Sequence, residues 1–417
     1  MKVFIACILA VVGVSALHCT PVSAAGESAV VVFSLEPSVR FSGMGNSSNA
    51  VSWGIDPDYW SNPALLGYYH GIHFDHGRTH LIPMLDDDMY FTTDRIAVGE
   101  WGVGVVMVDR PIGGLGKARL DYGTWYETDA GGNVIDSHEA YENMKVCGVG
   151  ARVLEVTENI LRNTGSSPPQ LSRFADLSIG LSSKKADVVL GPAGGAEVTT
   201  HDYGWLLELT PYNSISQPGF LPALDRIVDA FGGIQAGVAY GHSVQSYDEK
   251  ETKWTVLEEA SPVAKVARHG WAVQGAIGLP RPVRQACDAH GLGMVAKSLT
   301  PLISAGMAWD WRRTVWPLRE PTAETSGWEI TLGNIYSIRR GRIDDTGGMV
   351  HGDTHGWGLG FKIADLAGFR YDEASVPLGE GVARRERSGY AFFLDPIGIY
   401  HHIKAHPARP ARAALRS

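Results

Sequence analysis

From Leu66 to about Ile397 the chain keeps one pattern, in which large apolar residues alternate with small or polar ones. In one stretch, Trp357, Leu359 and Phe361 alternate with Gly358 and Gly360. Alternation with a period of two predicts β-strands. The pattern recurs in stretches that begin at Cys147, Ala175, Tyr203, Ile234, Trp271, Ile303 and Trp328. The chain is therefore predicted to be all-β, with roughly 14 strands and a range of about 12 to 14.

The composition of the two strand faces separates two architectures. In a soluble sandwich, the outward face is rich in Lys, Glu and Thr, whereas here the second face is mostly Gly, Ala, Ser and single charges. Such a face is typical of the interior of a transmembrane antiparallel β-barrel whose large apolar face contacts lipid. Trp101, Trp271, Trp328 and Trp357 fall near the starts of apolar runs, as an interfacial girdle would. The alternative is a soluble exported all-β binding protein with these faces packed inside.

One stretch, Ser42–Gly67 (SGMGNSSNAVSWGIDPDYWSNPALLG), has neither the strand nor the helix period. It resembles the N-terminal signature of the FadL/PorV-type (PorV/PorQ, UPF0164-like) outer-membrane β-barrel proteins. The resemblance rests on a Gly-Met-Gly turn and an Asn-Pro-Ala turn, formed by Gly43, Met44, Gly45, Asn62, Pro63 and Ala64. Glycine-rich strands at Ser178–Lys184, Asp202–Leu207 and Gly356–Phe361 also resemble that family, in the same order along the chain.

The resemblance implies a barrel of about 14 strands in the outer membrane of a diderm bacterium, with an N-terminal plug-like segment. It also implies a channel for small hydrophobic molecules or a secretion-related barrel component. The expected partners are outer-membrane lipid and either hydrophobic small molecules or secretion and surface proteins.

The chain divides into four predicted segments. Lys2 followed by an apolar run and small residues before Ala25 predicts an exported chain with a signal peptide over residues 1–24. A plug or periplasmic segment over 25–65, the barrel over 66–397 and a basic disordered tail over 398–417 follow. We predict long external loops at Pro111–Glu139, Asp248–Ala267 and Pro280–Ser298. Cys147 and Cys287 are expected to be free thiols.

Charge and motifs narrow the function classes. A net charge of −9 gives no sign of the basic patch that nucleic-acid binding requires. No Gly-x-Ser-x-Gly motif or nucleophile–base pair is evident, so neither an enzyme nor a cofactor is expected. His351, Asp353 and His355 could bind a metal, but a polar loop is the favoured interpretation. The charges expected in or near the lumen are Asp310, Arg312, Glu329, Arg339 and Arg340.

Overall fold

The computed structural model describes residues 30–81, 89–107, 118–191, 194–213, 233–255, 260–378 and 384–405. The signal peptide predicted over residues 1–24 lies outside the described residues.

Within the described part of the chain, seventeen antiparallel strands form one closed sheet. They are β1 (Gly71–His80), β2 (Tyr90–Glu100), β3 (Val103–Met107), β4 (Ala118–Thr128), β5 (Val134–Arg152), β6 (Ala175–Leu190), β7 (Gly195–Asn213), β8 (Ile234–Gln245), β9 (Glu251–Trp254), β10 (Ala260–Pro262), β11 (Lys265–Ile277), β12 (Ile303–Trp316), β13 (Ala323–Leu332), β14 (Tyr336–Asp345), β15 (Val350–Ile363), β16 (Ala367–Val376) and β17 (Arg385–Leu394). In three places, two strands follow one another along a single position of the wall and lie beside the same neighbouring positions. These strand pairs are β3 with β4, β8 with β9, and β10 with β11. Pairing of β1 with β17 closes the barrel. The prediction of a barrel with 14 strand positions is confirmed.

The large apolar side chains point outward. Leu359 and Phe361 are 52% and 54% exposed, and Trp271 and Trp357 also lie on this outer belt. The small residues of the other face point inward, where Ala272 and Ala308 are fully buried. The predicted assignment of the two faces is confirmed, and it is opposite to the packing that the soluble alternative requires. Trp101 differs in detail, since it lies in the β2–β3 turn with a positive φ.

Helical segments are short and lie outside the strands. They are three 3₁₀ helices (Val31–Phe33, Pro63–Tyr68 and Leu171–Arg173) and α1 (Val39–Gly43), α2 (Val153–Asn163), α3 (Arg281–Ala289), α4 (Gly293–Ser298) and α5 (Pro396–Ala405). Among the described residues, none of these helices combines the length and apolar composition that a membrane crossing demands. Cys147 and Cys287 are both free.

The structure corrects two predictions, one on the C-terminal tail and one on the placement of the long segments. The prediction of a disordered tail is wrong from Gly398 to Ala405, because α5 forms there with Ile397, Tyr400 and Ile403 at helical spacing. The rest of the predicted tail, residues 406–417, lies outside the described residues. The long segments also do not share one end of the barrel. Pro111–Glu139 includes β4 and the start of β5, and Asp248–Ala267 includes β9 and β10, all at one end. Pro280–Ser298 holds α3 and α4 at the opposite end, because it follows a strand of the other direction.

The outer belt predicts how a charge on it would act. Leu359→Arg places a cation near the middle of the belt, and we expect it to reduce the stability of the inserted barrel by about 2–4 kcal/mol. Refolding into liposomes, followed by the heat-modifiable shift in electrophoretic mobility, measures this. Ile135→Arg is the matched control, because Ile135 is 60% exposed on the β4–β5 hairpin beyond the belt. Equal losses for the two variants would contradict a lipid-facing belt.

Candidate functional site

The N-terminal segment fills the barrel lumen and is called the plug here (residues 30–70). Its centre is excluded from solvent, with Met44, Ala50, Val51, Ala64 and Leu65 all at zero exposure. These side chains form an apolar cluster with inward alanines of the wall. The expected plug is therefore an integral part of the barrel core, from residue 30 onward.

Plug and wall touch through backbone at inward-facing glycines. A Cβ at any of ten wall glycines would lie closer than 3.0 Å to a plug atom, nearer than side chains pack in proteins. These glycines are Gly99, Gly104, Gly150, Gly180, Gly204, Gly241, Gly306, Gly327, Gly341 and Gly389. The first five stand directly opposite one another on adjacent strands, in a glycine row across β2, β3, β5, β6 and β7.

The Asn-Pro-Ala signature lies on this glycine row. The Asn62 side chain accepts a hydrogen bond from the Ala64 backbone N–H at 3.1 Å, which caps the 3₁₀ helix that Pro63 begins. Its amide also donates to the backbone carbonyls of Asn49 and Trp205. Pro63 packs against Gly150 and Gly180. The signature thus forms a compact turn that fits a wall without side chains.

The Gly-Met-Gly signature lies against the opposite part of the wall. Gly43 ends α1 beside the backbone of Gly356, and its carbonyl accepts a hydrogen bond from Thr354 Oγ1 at 3.0 Å. Gly45 has a φ of +70° and lies between backbone atoms of Ser326 and Arg342, so both conformation and space require glycine there. Each signature is therefore explained by direct contact of the plug with the wall.

A closed ring of six charges, five of them buried and Arg370 11% exposed, links the plug to three strands. Arg40 of the plug pairs with Glu329 on β13 and Asp56 of the plug. Arg339 on β14 lies 2.6 Å from Glu329 and 2.7 Å from Asp372 on β16. Arg370 on β16 completes the charge ring through Asp372 at 2.7 Å and Asp56 at 2.6 Å. Three arginines and three carboxylates balance, and each group has two partners of opposite sign.

The charge ring holds its plug members in the ionised form. Burial alone would lower the pKa of Arg40, but Glu329 and Asp56 outweigh it and place that pKa above its ordinary value. Burial would raise the pKa of Asp56, but Arg370 and Arg40 hold it below its ordinary value. A buried ion pair costs desolvation on both sides, so its main effect is to penalise any state that separates the partners.

The five charges predicted for the lumen occupy different places. Glu329 and Arg339 belong to the charge ring, and Asp310 accepts hydrogen bonds from the plug N–H groups of Ser48 and Asn49 at 2.8 Å each. Arg312 faces inward and pairs with Asp345 at 2.6 Å. Arg340 is the correction: it is exposed on the outer face. Side chains alternate along β14, so the inward position of Arg339 excludes Arg340 from the lumen.

Sequence reasoning missed the charges that complete these contacts. Arg40 and Asp56 lie in the plug stretch and carry no periodic pattern, and Asp372 and Arg370 are one pair among many on alternating strands. Lys184 is another buried wall charge, paired with Asp202 at 2.7 Å and placed over the Trp60 ring. For the charges on the wall strands, the sequence offered one indication of an inward position, namely that they lie on the small-residue face of their strands.

A cavity of about 610 Å³ lies between the plug and the end of the barrel where β1 begins and β17 ends. The charge ring forms part of its wall through Arg40, Glu329 and Arg370. Apolar side chains of the plug, Trp53 and Ile55, also line it. The plug therefore closes one end of a chamber that could hold a small molecule.

The possible metal site at His351, Asp353 and His355 does not form. His351 Nδ1 lies 2.8 Å from Asp344 Oδ1, and the three side chains do not assemble as a ligand group in the described part of the chain. The prediction of a polar loop is wrong in one respect, because this segment lies on strand β15.

No protein-family model matches the chain, and no curated protein matches it. The solved structures that are similar to it include the following three. The CymD monoaromatic hydrocarbon channel has a TM-score of 0.43 and 10% identity, over 88% of this chain and 98% of that one. The Ralstonia pickettii toluene transporter TbuX has a TM-score of 0.41 and 9% identity, over 88% and 98%. A Pseudomonas aeruginosa FadL homologue has a TM-score of 0.34 and 8% identity, over 85% and 96%. At these values the likeness supports no argument about function.

The glycine contacts predict a steric test of the plug. We expect Gly341→Val to force the plug backbone at Gly45 away from β14 and to destabilise the barrel by about 1–3 kcal/mol. Denaturant unfolding in detergent and proteolysis of the plug measure the effect. Gly347→Val is the control, because a Cβ there meets atoms only at 3.6 Å or beyond. A Gly341 variant as stable and protease-resistant as wild type would contradict the contact.

The charge ring predicts a non-additive pair of substitutions. Arg339→Leu leaves buried carboxylates short of a partner, and we expect a loss of about 3–5 kcal/mol in unfolding free energy. Adding Asp372→Asn restores the charge balance of the ring and should recover part of that loss. Arg312→Leu should cost much less, because Arg312 is 35% exposed. Purely additive losses in the double variant would refute the closed ring.

Proposed function

We propose that this protein is an outer-membrane β-barrel of the FadL/PorV type, which passes small hydrophobic molecules through its lumen when the plug moves. The observation that carries the proposal is a plug held by polar and van der Waals contacts, with a chamber of about 610 Å³ beside it. The outer belt of large apolar side chains supports a place in a lipid bilayer.

Passage requires the plug to leave part of the glycine-lined wall. The contacts that hold it are non-covalent and can separate and form again. The monoaromatic hydrocarbons and toluene named for the similar structures are apolar molecules small enough for such a chamber, and they provide the probe for a test. Trp53 and Ile55 on the plug offer apolar contact beside the charge ring.

Ser47 and Thr325 provide a way to lock the plug. Their hydroxyl oxygens lie 3.0 Å apart, one on the plug and one on β13, so these two positions are the choice for an engineered disulfide. The described native cysteines are free and lie elsewhere, at Cys147 and Cys287. Ser47→Cys combined with Thr325→Cys therefore gives one barrel in two redox states.

We expect diderm cells that express the wild-type protein to take up labelled toluene faster than cells without it. The oxidised double-cysteine variant should lose most of that gain, because the disulfide pins the plug to β13, and reductant should restore it. Each single-cysteine variant is the matched control and should behave as wild type in both states. No gain with the wild type would refute the channel, and full uptake by the oxidised variant would refute movement of the plug.

A further inference from the structure

The hairpin formed by β4 and β5 carries a group of potential metal ligands away from the lumen. Glu127 on β4 stands directly opposite Asp136 on β5. His138 lies two residues after Asp136, so its side chain projects from the same face of the hairpin. One imidazole and two carboxylates thus share one face near the exposed end of the hairpin.

The distances within this group are too long for hydrogen bonds. His138 Nε2 lies 3.8 Å from Glu127 Oε2 and 3.6 Å from Asp136 Oδ2. The three donor atoms all lie within 4.8 Å of one another. His138 Nε2 is itself shielded from solvent and has no hydrogen-bond partner among the described residues. The nitrogen therefore lies between two exposed carboxylates, with Glu127 58% and Asp136 62% exposed, and forms a hydrogen bond with neither.

The register of the hairpin gives a second, independent reason for a cation. Like charges at directly opposite positions of an antiparallel pair repel each other and destabilise the hairpin. Glu127 and Asp136 occupy such positions. Ligand bonds of about 2.0–2.2 Å on either side of a metal bring donor atoms to about 4 Å or less. The two measured distances from His138 fall within that range.

We propose that Glu127, Asp136 and His138 bind one divalent transition-metal ion of the Zn²⁺ class. The neutral imidazole would offer its Nε2 lone pair, each carboxylate one oxygen, and water the remaining position. The ion would neutralise the opposed carboxylates and tie β4 to β5 at the exposed end of the hairpin.

The test uses the full-length folded protein in detergent, freed of metal by a chelator and then titrated with Co²⁺. We expect visible absorption bands that saturate at about one ion per chain and disappear when Zn²⁺ is added. Glu127→Gln and His138→Ala should each weaken Zn²⁺ binding at least tenfold by calorimetry, since even outer-sphere changes commonly cost about 10–100-fold.

Glu139→Gln is the matched control. Glu139 is an exposed acid adjacent to His138 on the same strand, but it points to the other face of the hairpin. The Zn²⁺ affinity of the Glu139→Gln variant should stay within about twofold of wild type, whereas the ligand variants should lose at least about tenfold. Heat-modifiable mobility confirms that every variant is a folded barrel. Absence of saturable binding, or unchanged binding in His138→Ala, would refute the site and leave a histidine that neutralises the two acids by its own charge.

Discussion

The structure depends on direct contact between the plug and the inward-facing glycines of the wall. A barrel of 14 strand positions encloses a wide lumen, and the plug fills it only because glycines allow its turns to touch the strands. In the glycine row, five such residues face one another across adjacent strands, from Gly99 to Gly204. The tight Asn62–Ala64 turn rests on that row. Wall and plug therefore constrain each other's sequence.

Close packing alone does not fix the orientation of the plug in the lumen. The buried polar groups fix that orientation. The charge ring fixes α1 and Asp56 relative to β13, β14 and β16. On another part of the wall, Asp310 binds two successive plug N–H groups. A buried charged group that loses its partner still carries the free-energy cost of its desolvation. Partial displacement of the plug therefore costs more free energy than the intact ion pairs contribute to stability.

The inner and outer faces of the barrel perform separate tasks. The outer belt is apolar and suited to lipid, while the lumen combines apolar plug residues with paired charges next to a chamber. The β4–β5 hairpin extends beyond the belt and carries its own group of ligand atoms, independent of the lumen. The proposed transport and the proposed metal binding therefore concern parts of the chain that can be altered separately from the outer belt.

The sequence alone predicted a barrel, its approximate number of strands and the direction of both faces, because period-two alternation is a local property that survives folding. It also indicated the two plug turns. It did not predict β4, β9 and β10, which lie in segments expected to be loops. It did not determine that Arg339 and not Arg340 faces the lumen, because one residue of register reverses every side chain on a strand. Nor did it show the partners of Arg40, since Glu329 is 289 residues away. Strand pairing and closure of the sheet brought these groups together, and only the tertiary structure fixes such distances.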